Sequence, residues 1–418
     1  MHEALENERF EDASRFIASS SEADLVECFE SPEGSYKSCL HIIAAMSDTQ
    51  QASKLCRELM ERTENAVNRE YLLNMRTATE FDRAGKKVTA RVAAIHIAAY
   101  NGNSGVVRLL CREYGVDVNC STSDTVEEEP RKGITPLEWA ARMGHTEVVK
   151  ALLENKADMN ISRPTDSVTP LTIAAQNGHT EVVKLLLDNK ADVNASTHTG
   201  ATPLYVAAQK GHTEVMKLLL ANKGDVNARK HNGVTPLYIA AQNGHTEVVK
   251  LLVAKKADVN ASRNEGATPL YIAAEKGHTE VVKLLLANEA DVNRSRNDGA
   301  APLYIAAENG HTEVVKLLLA NEADVNRIRN DGDTPLYIAA QNGHTKVVKL
   351  LLANKADVNA SMKDGRTPLY IAAQKGHTEV VKLLLDKKAD VNARRANGER
   401  PIDAAQRNHH LEIIKLLQ

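Results

Sequence analysis

Residues 235–260 carry the sequence Thr235-Pro-Leu-Tyr-Ile-Ala-Ala-Gln-Asn-Gly-His-Thr-Glu-Val-Val-Lys-Leu-Leu-Val-Ala-Lys-Lys-Ala-Asp-Val-Asn260, which contains the signals that predict the fold. Its opening phrase returns at one constant interval, at Thr202, Thr268, Ala301, Thr334, Thr367 and Arg400. Earlier copies begin at Thr135 and Thr169, and weaker ones at Ala93 and Ser38. A fixed period of about 33 residues predicts one repeat array rather than several globular domains.

Each unit predicts two short helices. Thr235 suits a helix N-cap because its hydroxyl can accept from a free backbone amide, and Pro236 suits the first helical position, which needs no donor. Gly244 ends the first helix in a left-handed conformation. Thr246 and Glu247 open the second helix, where a carboxylate complements the helix dipole.

The apolar residues of the second helix, Val248, Val249, Leu251 and Leu252, face one side. A single helix pair cannot fold alone, because helix nucleation is unfavourable and the apolar face is uncovered. Stacked neighbours cover that face, and each large aliphatic side chain so buried contributes about 1.5–3 kcal/mol. We therefore predict an all-α solenoid of ten or eleven repeats.

The repeat resembles the ankyrin repeat, which has the same period and the phrase T-P-L-H-x-A. The resemblance covers residues 92–418 and implies hairpin tips and first helices that form a concave protein-binding face. Two features depart from the family. Tyrosine replaces the family's histidine in six copies: Tyr205, Tyr238, Tyr271, Tyr304, Tyr337 and Tyr370. Charged residues replace its glycine after the second helix: Lys190, Lys223, Lys256, Glu289, Glu322, Lys355 and Lys388.

The ends of the array differ from its middle. Residues 1–37 predict an N-terminal helical cap, with a capping helix pair over residues 3–29. Residues 38–134 predict degenerate repeats with two insertions, one of one or two helices at 57–91 and an exposed acidic loop at 120–134. Residues 135–399 form the regular array, and 400–418 a C-terminal capping repeat. Recognition lies either in the regular repeats or in the irregular N-terminal third.

The composition is that of a folded protein, with 43% hydrophobic and 26% charged residues and 4% aromatics in 418 residues. A formal net charge of −3 supplies no general attraction to nucleic acid or anionic membrane. Because neither a signal peptide nor an apolar stretch of about 18 residues occurs, we expect a cytoplasmic protein without a membrane span. Five cysteines without CxxC spacing indicate reduced thiols.

Eight Gly-His pairs could suggest a metal site: His145, His179, His212, His245, His278, His311, His344 and His377. Stacked helices lie about 8–10 Å apart, so histidines that occur once per repeat cannot share one zinc ion. We therefore predict structural histidines, no metal and no cofactor. The pairing of Cys39 with His41 lacks an orienting third group, and no nucleotide-binding or hydrolase motif occurs. The chain is predicted not to be an enzyme; a cryptic catalytic element in residues 1–91 is the alternative.

The predicted function is protein binding through the concave face and the hairpin tips, with no small-molecule substrate. The tyrosine series offers amphipathic contact area; alternatively, the rings pack against the neighbouring first helix. The tips carry Arg229, Arg263, Arg296, Arg329, Arg366 and Arg395 among other cations, which favours an acidic protein partner. Binding of nucleic acid or an acidic ligand along this edge is the second alternative.

The near-identical repeats resemble those of ankyrin proteins that intracellular bacteria deliver into host cells. That resemblance implies an effector in the host cytoplasm, although many eukaryotic ankyrin proteins share the same phrase.

Overall fold

The computed structural model describes residues 10–20, 29–30, 36–37, 39–46, 48–63, 73, 77–83, 86–122 and 133–418. The chain divides into two compact units, residues 1–225 and 226–418. The described part of the chain contains eleven consecutive helix pairs, so the predicted class of helical repeat fold is confirmed.

In the first unit the structure describes helix α1 (Phe10–Ser19) and five helix pairs. These are α2 (Cys39–Ala44) with α3 (Thr49–Arg62), α4 (Ala94–Tyr100) with α5 (Ser104–Arg112), α6 (Pro136–Met143) with α7 (Thr146–Glu154), α8 (Pro170–Asn177) with α9 (Thr180–Asp188), and α10 (Pro203–Lys210) with α11 (Thr213–Ala221). First helices pack on first helices, as α6 does on α8, and second helices on second helices.

The second unit contains six helix pairs in the same arrangement. These are α12 (Pro236–Gln242) with α13 (Thr246–Ala254), α14 (Pro269–Lys276) with α15 (Thr279–Leu286), α16 (Pro302–Glu308) with α17 (Thr312–Ala320), α18 (Pro335–Gln341) with α19 (Thr345–Ala353), α20 (Pro368–Lys375) with α21 (Thr378–Asp386), and α22 (Pro401–Arg407) with α23 (Leu411–Leu417).

Two β-hairpins lie in the N-terminal third. Strands β1 (Phe29–Glu30) and β2 (Tyr36–Lys37) pair antiparallel, as do β3 (Thr77–Arg83) and β4 (Lys86–Val92). The prediction of helices for the insertion at 57–91 was therefore wrong over residues 77–83 and 86–91. The second helix of the predicted cap falls mostly on residues 21–28, and most of the acidic loop falls on residues 123–132; both segments lie outside the described residues.

The predicted helix ends are confirmed in detail. The Thr235 hydroxyl accepts from the Tyr238 amide at 3.2 Å, and Pro236 is the first residue of α12. Gly244 takes a φ of 73°, and α13 begins at Thr246. Val248, Val249 and Leu252 are buried, so the second helix turns its apolar face into the stack.

The residue that follows each second helix is left-handed although it is not glycine. Lys256 has a φ of 62° and Glu289 a φ of 65°, and their equivalents in the other repeats lie between 62° and 67°. A side chain in this conformation costs roughly 1–2 kcal/mol, because Cβ approaches the following carbonyl oxygen. Every regular repeat therefore holds one strained backbone position at the surface.

Histidine links each repeat to the one before it. The Nε2 atom of His311 lies 3.0 Å from the carbonyl oxygen of Glu275, near the end of α14, and His344 makes the same contact with Glu308 at 2.9 Å. A helix-terminal carbonyl has no partner inside its own helix, so the imidazole N–H satisfies a group that would otherwise be unpaired. This geometry supports the predicted structural role of the Gly-His pairs.

Asparagine makes a second link. The Asn260 side-chain oxygen accepts from the Asp291 amide at 2.8 Å, and Asn260 Nδ2 donates to the carbonyl of the left-handed Glu289 at 3.3 Å. The same pair of contacts joins Asn293 to Asp324 and Glu322. These bonds fix the loop after each second helix and hold the following hairpin in register.

Candidate binding surface

The hairpin tips of the second unit are residues 228–234, 261–267, 294–300, 327–333, 360–366 and 393–399. Each tip folds back on itself; the Arg296 amide, for example, donates to the Ala300 carbonyl at 2.9 Å. Neighbouring tips are also joined, since the Asn297 amide donates to the carbonyl of Glu265 at 3.1 Å. The tips therefore form a continuous edge with a defined backbone instead of separate loops.

The six tyrosines predicted to contact a partner are buried. Tyr205 has the highest exposed fraction at 6%, and Tyr238, Tyr271, Tyr304, Tyr337 and Tyr370 are at 3% or less. Their rings cannot supply contact area to a partner, so this part of the predicted site was wrong. The physical reason is the position of the residue on the face of the first helix that enters the stack, where burying a large ring stabilises the fold.

The buried tyrosines instead position the tip arginines. The Arg296 guanidinium lies 5.5 Å from the centre of the Tyr271 ring, and its Nη1 donates to the Tyr271 hydroxyl at 3.2 Å across a chain separation of 25 residues. Arg329 lies 5.3 Å from the Tyr304 ring, and these two residues have the same separation along the chain. A cation above a ring is attracted by its π electrons, so Tyr271 and Tyr304 each fix an arginine of the hairpin tip that follows.

The repeat at 334–366 departs from this spacing. Met362 stands where an arginine would follow Tyr337 at that separation, and the Tyr337 hydroxyl is buried without a hydrogen-bond partner. Arg366 lies 6.0 Å from the Tyr337 ring centre. One tip arginine is therefore replaced, and the phenol beneath it loses its partner.

The acid–base properties of the tyrosines follow from their burial. Burial raises the pKa of Tyr271 to about 12, although Arg296 opposes the shift, and burial raises the pKa of Tyr337 to about 12 as well. Burial and the hydrogen bond that the Tyr304 hydroxyl donates to Asp333, at 2.6 Å, raise the pKa of Tyr304 well above its usual range. These phenols are therefore neutral at physiological pH.

Acidic residues of the tips pair with most of the arginines predicted as site residues. The ion pairs are Arg263 with Glu265, Arg296 with Asp298, Arg329 with Asp331 and Asp333, and both Arg366 and Arg395 with Asp364. The Asp364 carboxyl accepts hydrogen bonds from Arg366, and these hold its pKa below its usual value against the opposing effect of burial. The charge of these arginines is therefore largely compensated within the edge.

Five cations of these tips make no salt bridge with any residue that the structure describes. Arg229 is exposed and donates to the Ser262 carbonyl at 3.0 Å, and Arg394 donates to the Gly398 carbonyl at 2.8 Å. Among the residues that the structure describes, Arg294, Arg327 and Lys363 likewise make no salt bridge. Of the twelve predicted site residues, only Arg229 belongs to this set, because sequence alone does not tell which arginine a neighbouring acid neutralises.

The first unit contains a charged version of the tyrosine–arginine pair. Glu138 occupies the tyrosine position in α6, and Arg163 follows it at the same separation along the chain, with its Nε atom 3.3 Å from the Glu138 carboxylate. Both side chains are buried, and Arg142 lies 2.9 Å from the same carboxylate. The constant spacing is a sequence signal by which this coupling could have been found.

Other kinds of site receive no support from the described residues. Nowhere in this part of the chain do three His, Cys, Asp or Glu side chains converge so that they could hold a metal ion. No helix among these residues is both long enough and apolar enough to cross a bilayer.

Stacked helix pairs joined by hairpin tips define a helical repeat protein. A family model described as ankyrin repeats (3 copies) matches residues 70–163, 160–230, 222–296, 289–362 and 354–418. The chain therefore belongs to the ankyrin-repeat family, whose repeats are generic protein–protein interaction modules. No match was found among curated proteins.

Proposed function

We propose that this chain binds a protein partner through its hairpin tips and the adjacent first-helix face, and that the partner presents an acidic surface. The observation that carries the proposal is the fixed geometry of the tip arginines above buried tyrosines, as in the pair of Arg296 and Tyr271. Side chains already held in place lose little conformational entropy when a partner binds, which favours affinity.

The preference for an acidic partner rests on the cations without ion pairs. Arg229, Arg294, Lys363 and Arg394 are exposed along one edge, and Arg327 is half-buried beside them. An edge of positive charge accelerates encounter with an acidic surface and disfavours basic ones. Sequence-independent binding of single-stranded nucleic acid usually needs aromatic rings on which bases stack, whereas the tyrosines of this array are buried.

The proposal also covers where the protein acts and what role it has. A cytoplasmic location, and delivery into a host cell as an effector, are supported by the resemblance of the near-identical repeats to delivered ankyrin proteins. Members of this family are typically non-catalytic binding scaffolds. The proposed role, which is binding without catalysis, agrees with that.

The test captures partners of the full chain from nuclease-treated lysate, purifies the recovered protein and measures its affinity at increasing salt. The tip variant carries serine at Arg229, Arg294, Arg327, Lys363 and Arg394. The control variant carries serine at five exposed second-helix lysines, Lys184, Lys250, Lys283, Lys316 and Lys349. Both variants lose five positive charges, and they lose them from different surfaces.

We expect the tip variant to lose at least tenfold in affinity and most of its salt dependence, because several charge contacts disappear together. The control variant should bind like the wild type. Equal losses in the two variants, or capture that disappears on nuclease treatment, would overturn the proposal.

A further inference from the structure

One groove interrupts the edge of hairpin tips. It lies between the tips at 294–300 and 327–333 and has a volume of 610 Å³. It is lined by Arg296, Asp324, Arg327 and Ile328 together with asparagine, serine and glycine residues. The Arg327 Nη2 atom donates to the Ser295 hydroxyl at 3.2 Å and so connects the two tips. The groove is open and polar except at one residue.

That residue, Ile328, breaks the pattern of the array. It is 62% exposed, whereas serine occupies the equivalent position in the tips before and after it, at Ser295 and Ser361. An isoleucine exposed to this extent contributes little to folding, because its apolar surface remains in water. A ligand that enters the groove would cover it.

The charges around Ile328 break the pattern as well. Arg294 and Arg327 occupy a position at which the neighbouring tips carry Ala261 and Ala360. Neither arginine forms a salt bridge within the described residues. The one carboxylate that lines the groove, Asp324, accepts from the Asn326 amide at 3.0 Å and is thus engaged in its own turn.

We propose that this groove selects the partner: it binds an acidic, extended segment of a protein whose central apolar side chain covers Ile328 while flanking carboxylates pair with Arg327 and Arg294. The inference rests on the proposed function and names the chemistry that the site recognises. Guanidinium groups can bind carboxylates through two parallel hydrogen bonds, and the free donors of Arg327 allow this. The asparagine amides along the tips are committed to neighbouring repeats, as Asn330 Nδ2 is to the Asn297 carbonyl at 3.2 Å.

The experiment measures fluorescence anisotropy of labelled synthetic peptides with the full chain. One peptide is a short run of glutamates with a central leucine, and the second has serine in place of leucine. A single-stranded oligonucleotide of equal charge is the third probe. The variants are Ile328→Ser and Arg327→Ala. Lys349→Ser, on an exposed second-helix face, is the control, and Arg394→Ser tests a tip cation outside the groove. Each groove substitution introduces the residue that the next repeat already carries, so folding should be preserved.

We expect the wild type to bind the leucine peptide roughly tenfold more tightly than the serine peptide, as burial of one apolar side chain allows. Ile328→Ser should abolish that difference, and Arg327→Ala should weaken both peptides several-fold. Lys349→Ser should bind both peptides like the wild type. Arg394→Ser, at the position equivalent to Ile328, should weaken both peptides less than Arg327→Ala does and leave the ratio of their affinities unchanged.

Two sets of results would overturn the inference. If the two peptides bind equally, if neither binds, or if the oligonucleotide binds as tightly as the leucine peptide, the groove has no selectivity of the proposed kind. If Arg394→Ser weakens the leucine peptide as much as Arg327→Ala does, recognition is spread along the edge. In that last case the proposed function survives, because the tip cations still bind the acidic partner.

Discussion

His311 lies directly over Gly277 of the preceding repeat. The Cε1 atom of its ring is 2.7 Å from the point that a Cβ on Gly277 would occupy, while Nε2 bonds the Glu275 carbonyl. Gly277 also has a φ of 74°. The glycine therefore serves two purposes at once: it permits a left-handed turn and leaves room for the histidine of the next unit.

A double-mutant cycle separates those purposes. Gly277→Ala should destabilise the chain by about 2–4 kcal/mol through strain and crowding, and His311→Ala by about 1–3 kcal/mol through a lost hydrogen bond. The double variant should cost less than the sum, because the crowding disappears. Urea unfolding measures these costs. Gly398→Ala is the control: its φ is 85° with no atom within 4 Å of the added Cβ, so it tests strain alone. Strict additivity would contradict the packing role.

The tyrosine hydroxyls of different repeats should contribute differently to the stability of the fold. Tyr304→Phe removes a hydrogen bond to the buried Asp333 and should cost about 1–3 kcal/mol. Tyr337→Phe removes a buried hydroxyl that has no partner and should be neutral or stabilising. Thermal unfolding of the two variants tests the difference, and equal costs would show that the two hydroxyls have equivalent surroundings.

Substitution by glycine should stabilise the chain at Lys256 and destabilise it at the neighbouring Lys255. Lys256→Gly relieves a left-handed side chain at a φ of 62° and should raise the free energy of unfolding by about 0.5–1 kcal/mol. Lys255→Gly changes a residue with a φ of −92° and should lower it by a similar amount. Urea midpoints of the two variants check the sign, and destabilisation by both would disprove the strain.

One missing helix cap can be restored. Ala301 has the extended backbone of an N-cap but no hydroxyl, whereas the Thr334 hydroxyl accepts from the Tyr337 amide at 3.1 Å. Ala301→Thr should therefore stabilise the chain by about 1 kcal/mol, and Thr334→Ala should destabilise it by about as much. Differential scanning calorimetry would detect both shifts; an unchanged transition for Ala301→Thr would mean that the new hydroxyl does not reach the amide.

Alkaline titration should be linked to unfolding. Burial raises the pKa of Tyr271 and Tyr337 from 10.0 to about 12, so the folded chain favours the neutral phenols. Their contribution to stability is complete below pH 10 and is lost as the pH rises towards 12. Phenolate absorbance should therefore rise together with the loss of helical circular dichroism. A midpoint near 10 with intact helices would show that the rings are accessible.

The local helical structure could be predicted because each of its determinants is a nearby residue. Thr235, Pro236 and Gly244 act within one helix, and their effects do not depend on distant contacts. The β3–β4 hairpin was missed although Gly85 lies between two runs of alternating side chains, a pattern that favours strands. The segment was predicted to be helical because its many charged residues also suit an exposed helix.

The candidate site was harder to predict, because the position of a residue within the repeat does not show whether its side chain is buried or exposed. Tyr271 and Arg296 were both assigned to the binding surface, yet the first is buried beneath the second. Ion pairing was equally hidden, since Arg296 is neutralised by Asp298 while Arg327 is not paired. Burial and pairing depend on contacts between repeats, which the phrase of a single repeat does not contain.

In the second unit the links keep a constant separation along the chain, apart from the one at Tyr337: 25 residues from tyrosine to arginine, 31 from asparagine to aspartate amide, and 36 from carbonyl to histidine. Removing or copying any one complete repeat inside the second unit would therefore bring equivalent partners together again. Recombination between near-identical gene segments could then lengthen or shorten the array without passing through an unfolded product. Selection would act on the number of tips and on rare substitutions such as Ile328.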